Sequence, residues 1–286
     1  MAERPTLRGR VTEAELHGEP PTAARPKSAC PAPRLGLLGL LAALSAILAL
    51  AASACGSAAA DDQATELRVL AAASLTESFT RLGAAYEAAH PGTRVVLAFA
   101  GSQDLVAQVR QGAPADVLAT ADAQTMDAVA DLVSPPQVFA RNHLVIAVAP
   151  GNPEGIAGLA DLSGEGLKVV LAAPEAPAGN YAAQALAAAH TDLRPASLET
   201  SVKGVVTKIS LGEADAGVVY VTDVAAAGGT IEGVAIPAHE NVTVTYPIAT
   251  LGDGDATTET AAFIGFVLSP DGQRILRETG FLAPLP

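Results

Sequence analysis

The residues best suited to chemistry sit in four short loops. Each loop follows an apolar run and opens a segment of helical spacing: Ala72-Ala73-Ser74-Leu75-Thr76-Glu77, Phe99-Ala100-Gly101-Ser102-Gln103-Asp104, Pro177-Ala178-Gly179-Asn180-Tyr181 and Thr200-Ser201-Val202-Lys203-Gly204. A helix start points unpaired N–H groups outward and carries partial positive charge, so it binds an anion without any lysine or arginine. Several such starts facing one cleft would surround a small oxyanion with donors. A plainer role is open to the same residues. Ser74 and Glu77 form a capping-box pattern and Ser102 suits an N-cap, so each serine could simply cap its own helix.

Covalent and metal chemistry find less support. The sequence has no Gly-x-Ser-x-Gly elbow, no P-loop and no His-Glu-x-x-His. Its five histidines, His17, His90, His143, His190 and His239, are scattered without metal-ligand spacing. The two cysteines, Cys30 and Cys55, both lie upstream of the main body, which therefore has neither disulfide nor thiol chemistry. A serine hydrolase built on Ser74 or Ser102 would need a base, for which His143 is the candidate.

Leu35 to Ala54 is an uncharged apolar segment that follows Arg34 and precedes Cys55-Gly56 and a small-residue tail. That order matches a secretory signal. A cysteine after Ser53-Ala54 resembles a bacterial lipoprotein signal, in which Cys55 becomes the acylated first residue; the alternative is an uncleaved membrane anchor. Either places the rest of the chain outside the cytoplasmic membrane. The chain carries a net charge of −13; six Lys/Arg and four Asp/Glu fall in residues 1–54, leaving 11 basic against 26 acidic side chains, or −15, in the remainder. Such a body repels nucleic acid and anionic headgroups, while local dipoles in a cleft can still hold an anion.

The elements that must position the four loops follow from the apolar pattern. Leu67–Ala73 reads as a buried strand, and Leu75, Phe79, Leu82 and Tyr86 follow at helical spacing. Strands are expected near 94–99, 116–119, 138–149, 167–172, 216–220 and 242–250, and helices over 102–110, 123–130, 178–189, 258–268 and 271–278. Val202, Val206 and Ile209 form a helical stripe. Strand and helix in alternation predict an α/β architecture of parallel type. Tryptophan is absent, so Ala, Val and Leu must build much of the core.

At the loop residues the sequence resembles the periplasmic substrate-binding proteins of molybdate ABC transporters, the ModA-type family. The matching segments run in order: Ala71 to Thr76, Phe99 to Ser102, Gly112 to Val117, Asn142 to Val145, Pro177 to Ala182, Gly217 to Asp223, Tyr246 to Ala249 and Ser269 to Gln273. The likeness spans about Glu66 to Phe281. It implies a two-lobed type II periplasmic-binding-protein fold with a ligand cleft between the lobes. One lobe would comprise residues 66–144 plus 246–286 and the other 145–245, after a leader and signal segment (1–54) and a flexible tether (55–65). The resemblance implies that Ser74 and Ser102 offer hydroxyl and N–H groups, Ala178 and Val202 backbone N–H groups, and Tyr220 its hydroxyl. Lys203 stands where the family often has arginine, and Gly101 replaces a common serine.

Molybdate, a dianion without a proton at neutral pH, suits a neutral site made mostly of donors. Tungstate, of nearly the same shape, is expected to bind as well. Implied partners are a membrane permease and its ATPase, with no cofactor, no direct metal ligand, no catalysis and a monomeric state. A sulfate binder of the same fold, the serine hydrolase and a lipid-anchored interaction domain remain the alternatives.

Overall fold

The computed structural model describes residues 64–252 and 258–285. The signal segment, Cys55 and nearly all of the tether lie outside the described residues.

The first strand, β1 (Thr65–Ala72), pairs in parallel with β2 (Thr93–Ala100) on one side and β3 (Val117–Ala119) on the other. Between β1 and β2 the chain makes a 3₁₀ turn at Ala73–Leu75 and then helix α1 (Thr76–Ala89). Helix α2 (Ser102–Arg110) joins β2 to β3, and the short α3 (Ala123–Asp127) follows β3. Further on, β5 (Val169–Ala172) lies parallel to both β6 (Ser197–Glu199) and β7 (Ala216–Tyr220). Helix α4 (Pro177–Ala188) follows β5, α5 (Val202–Ser210) follows β6, and α6 (Val221–Ala226) follows β7 directly. Two helices, α7 (Thr258–Leu268) and α8 (Pro270–Glu278), close the described chain.

Two long strands connect the parallel groups. β4 (Gln137–Val148) runs antiparallel to β9 (Thr243–Thr250) from Gln137 to His143. From Leu144 onward it pairs with β7 instead, and from Val145 also with β8 (Glu232–Ala235). The sheet order is β2-β1-β3-β9-β4-β7-β5-β6, with β8 beside β4. The parallel expectation holds for the two groups and fails at their junction, where β3/β9, β9/β4 and β4/β7 are antiparallel. A chain that leaves one group on one strand and returns on another must run those two strands in opposite senses.

Local pattern explains most elements. Leu75, Phe79, Leu82 and Tyr86 are all buried on one face of α1 and its preceding turn. The rings of Phe79 and Tyr86 join an edge-to-face series, with Phe79–Phe139 centroids 5.6 Å apart and Tyr86–Phe263 5.2 Å apart. In α5 the buried residues are Val202, Val205 and Ile209, one step from the expected stripe at Val206. The short β6 and β8 and the six-residue α6 carry too little periodicity to be read from sequence.

Candidate functional site

Each of the four loops lies at the carboxyl end of a strand, the edge at which open α/β sheets place their ligands. β1 leads to Ser74, β2 to Ser102, β5 to Ala178 and β6 to Val202, while Tyr220 ends β7. All five residues are buried. They line a single small, partly open cavity, together with small residues such as Ala73, Gly101 and Ala121. Among the described residues that line it, none carries a charge.

Three helices of nine residues or more, α2, α4 and α5, begin at this cavity. Their first-turn N–H groups have no partner within the helix, and their dipoles set partial positive charge at the cavity wall. Pro177 occupies the first turn of α4, where it forfeits no helical hydrogen bond, and Ala178 follows with its N–H. Gly179 allows α4 to begin so close to the sheet. A Cβ there would lie 2.1 Å from the Ala173 carbonyl oxygen and 2.4 Å from that of Ala172.

The serines do not cap their helices. The N-cap of α1 is Leu75 and that of α2 is Gly101, neither with a side-chain cap. Ser74 Oγ instead accepts from Tyr246 Oη at 3.3 Å, and Ser102 Oγ accepts from the Ala121 N–H at 3.0 Å. In both cases an acceptor site on the hydroxyl oxygen is filled by the protein, which leaves the hydroxyl proton for the cavity.

Tyr220 Oη lies buried at the cavity without a hydrogen-bond partner among the described residues. Burial pushes its pKa well above the ordinary tyrosine value, helped by the nearby Tyr246 and Asp223, so it remains a neutral donor. An orphaned buried hydroxyl is costly, and it marks a place where a ligand acceptor fits. Behind it, Asp223 is fully buried. Its Oδ2 accepts from the Tyr220 N–H at 3.1 Å and its Oδ1 meets Lys203 Nζ at 3.0 Å. Burial raises the Asp223 pKa, and the attraction and hydrogen bond of Lys203 oppose that rise. Lys203 thus neutralises an internal carboxylate instead of entering the cavity as a free cation.

Sequence reasoning missed the support for these donors. Asn142 Nδ2 donates to Thr222 Oγ1 at 2.8 Å and lies 3.5 Å from Tyr246 Oη. Two hydrogen bonds also join residues in the site loops with distant partners: Gln103 Nε2 to the Thr200 carbonyl at 2.7 Å, and Asn180 Nδ2 to Gln124 Oε1 at 3.1 Å. The partners in these contacts are far apart in sequence, and no local pattern pairs them. His143 is exposed, sits 3.2 Å from Thr243 Oγ1 and does not line the cavity.

Comparison with known proteins places this geometry in context. Residues 67–282 match the family model described as bacterial extracellular solute-binding protein. The chain is 40% identical over 224 residues to the molybdate-binding protein ModA of Mycobacterium tuberculosis, covering 77% of this chain and 86% of that one. Among solved structures, the periplasmic molybdate-binding protein of Azotobacter vinelandii aligns with a TM-score of 0.64 at 21% identity, covering 77% of this chain and all of that one. The sulfate-binding protein SubI of M. tuberculosis aligns with a TM-score of 0.67 at 20% identity, over 78% of this chain and 88% of that one. At these identities both structures speak for the fold alone.

Proposed function

The chain belongs to the family of bacterial extracellular solute-binding proteins, and within it we propose that this member captures molybdate and delivers it to an ABC-transporter permease. The observation that carries the reading is the buried, unpartnered Tyr220 hydroxyl at an uncharged cavity ringed by helix starts. The identity to ModA relatives supports molybdate as the ligand. Ser74, Ser102 and Tyr220 would donate through hydroxyl groups, and Ser74, Ser102, Ala178 and Val202 through backbone N–H. Hydrogen bonds to a charged group contribute about 1.5–3 kcal/mol each, net of the water they replace, so a set of such donors gives the dianion its affinity. Tungstate fits the same donors. Hydrogen phosphate brings a proton that needs an acceptor, and the lining has no carboxylate to provide one.

Capture by closure of two lobes is part of the reading. The change of partner along β4 at His143/Leu144 supports a boundary there between residues 66–144 plus 246–286 and residues 145–245. The Gln103–Thr200 and Asn180–Gln124 bridges would then join the lobes in the closed form. Cys55 would tether the protein to the outer face of the membrane through a lipid. Binding and release, without catalysis, suffice for this role, and the protein would act as a monomer.

Thermal shift with sodium molybdate, tungstate, sulfate and phosphate tests the proposal. The expected result is a large rise in melting temperature with molybdate and tungstate and none with phosphate at neutral pH. A phosphate shift equal to that of molybdate would refute a donor-only site, and a shift with sulfate alone would reassign the ligand.

A further inference from the structure

A small polar network, Asn142, Thr222, Tyr246 and Ser74, lies buried behind the cavity. It joins β4, α6, β9 and the 3₁₀ turn, elements distant in sequence. Its proton order can be worked out from one end. Asn142 Oδ1 accepts the backbone N–H of His143 at 2.9 Å, and a backbone N–H can only donate. The amide orientation of Asn142 is therefore set, and its Nδ2 faces Thr222 Oγ1 and Tyr246 Oη as a donor. With a donor aimed at its oxygen, the Tyr246 hydroxyl turns its own proton to the next acceptor, Ser74 Oγ at 3.3 Å. A phenol is also the better donor and an alkyl hydroxyl the better acceptor, so the direction agrees with acidity. Ser74 is left with its proton facing the cavity that it lines.

We propose that Tyr246 is a positioning residue that fixes the Ser74 hydroxyl as a donor toward the ligand, and thereby favours unprotonated oxyanions over protonated ones. The proposal rests on the reading of the cavity as an oxyanion site. Tyr246 is well placed to hold a fixed direction. Its ring makes edge contacts with Phe139, Tyr220 and Phe281 at centroid distances of 6.3, 5.9 and 5.1 Å. The side chain is fully buried, so water does not compete for its hydroxyl. Without that hydroxyl, Ser74 is free to rotate. It can then accept from a protonated oxyanion, and the donor it presents to molybdate is no longer preorganised.

The test is a double-mutant cycle read by calorimetry on the full body of the protein, with molybdate and phosphate as probes. Tyr246→Phe keeps the ring and its packing. It is expected to weaken molybdate about tenfold, the lower end for a charged hydrogen bond, and to narrow the preference for molybdate over phosphate. In a Ser74→Ala background the same change is expected to cost molybdate nothing further. Thr222→Val, which removes the acceptor that holds Asn142, is expected to act in the same direction and serves if Tyr246→Phe folds poorly. Molybdate affinity within twofold of the parent in Tyr246→Phe, or an undiminished loss in the Ser74→Ala background, would overturn the role of Tyr246. If Ser74→Ala alone weakens molybdate while Tyr246→Phe does not, the oxyanion site stands and only the positioning role falls. If neither change affects binding, the site assignment and the positioning role fall together.

Discussion

Tyr220→Phe separates a ligand-binding hydroxyl from a structural one by the sign of two effects. In the ligand-free protein, Tyr220 Oη is buried without a partner among the described residues, while the ring packs 5.9 Å from Tyr246. Removing the hydroxyl leaves the ring contact and deletes an unsatisfied polar group, whose burial costs about 1–3 kcal/mol. Hydration of the hydroxyl from the cavity side reduces that cost, so a stabilisation of about 1 kcal/mol is the working figure. For a body of 150–250 residues this corresponds to a rise of about 2–4 °C in melting temperature. In the bound state the same hydroxyl donates to a dianion, and its loss costs about 1.5–3 kcal/mol, which is about ten- to a hundredfold or slightly more in affinity. The variant is thus expected to melt higher without ligand, bind molybdate more weakly, and show a smaller ligand-induced shift. Scanning fluorimetry without ligand and titration calorimetry with molybdate measure both arms. A variant that melts lower than the parent and binds molybdate equally well would refute the reasoning, because the hydroxyl would then serve the fold and not the ligand.

Val202→Pro tests a backbone donor: Val202 is the first residue of α5 and follows Ser201 in extended conformation (φ −150°, ψ 162°), so proline fits the helix start. Molybdate affinity should fall about tenfold or more in calorimetry, with the helix content seen by circular dichroism unchanged. Gly101→Ala places a Cβ 2.5 Å from Gln103 Nε2 and 2.8 Å from the Thr200 carbonyl oxygen. It should break the Gln103–Thr200 bridge and speed molybdate release, measured by stopped-flow chase with tungstate. All four tyrosines, Tyr86, Tyr181, Tyr220 and Tyr246, have pKa values raised chiefly by burial, that of Tyr181 to about 12. The unfolded chain releases these protons near pH 10 while the native state retains them, so stability should be intact below that pH and decline as pH rises above it. Denaturant melts from pH 7 to 11 check the direction. Molybdate affinity should stay flat from about pH 7 to 9, since no proposed donor titrates there.

Much of the binding edge was legible in sequence because it is local. Short apolar runs followed by Ser, Ala or Gly and then helical spacing specify strand, turn and helix start within ten residues. Such segments read correctly at β1, α2 and β7, and the five expected site residues do line one cavity. The resemblance to the ModA-type family drew on those same segments. The leader and Cys55 fall outside the described residues, and for them sequence remains the only guide.

What the serine hydroxyls do was decided by tertiary structure. Ser74 and Ser102 both carry an N-cap pattern, yet each gives its acceptor site to a group that the fold brings in. For Ser74 that group is a tyrosine 172 positions away, and for Ser102 the N–H of Ala121. Each serine lies inside a helical turn instead of at the N-cap, Ser74 within Ala73–Leu75 and Ser102 as the first residue of α2, so its hydroxyl is free for a distant partner. The antiparallel junction, the pairing of Lys203 with Asp223 and the orphaned Tyr220 hydroxyl have the same origin. Periodicity reports which face of an element is buried. Which distant polar group meets which is set only when the sheet order β3-β9-β4-β7 brings the parallel groups together.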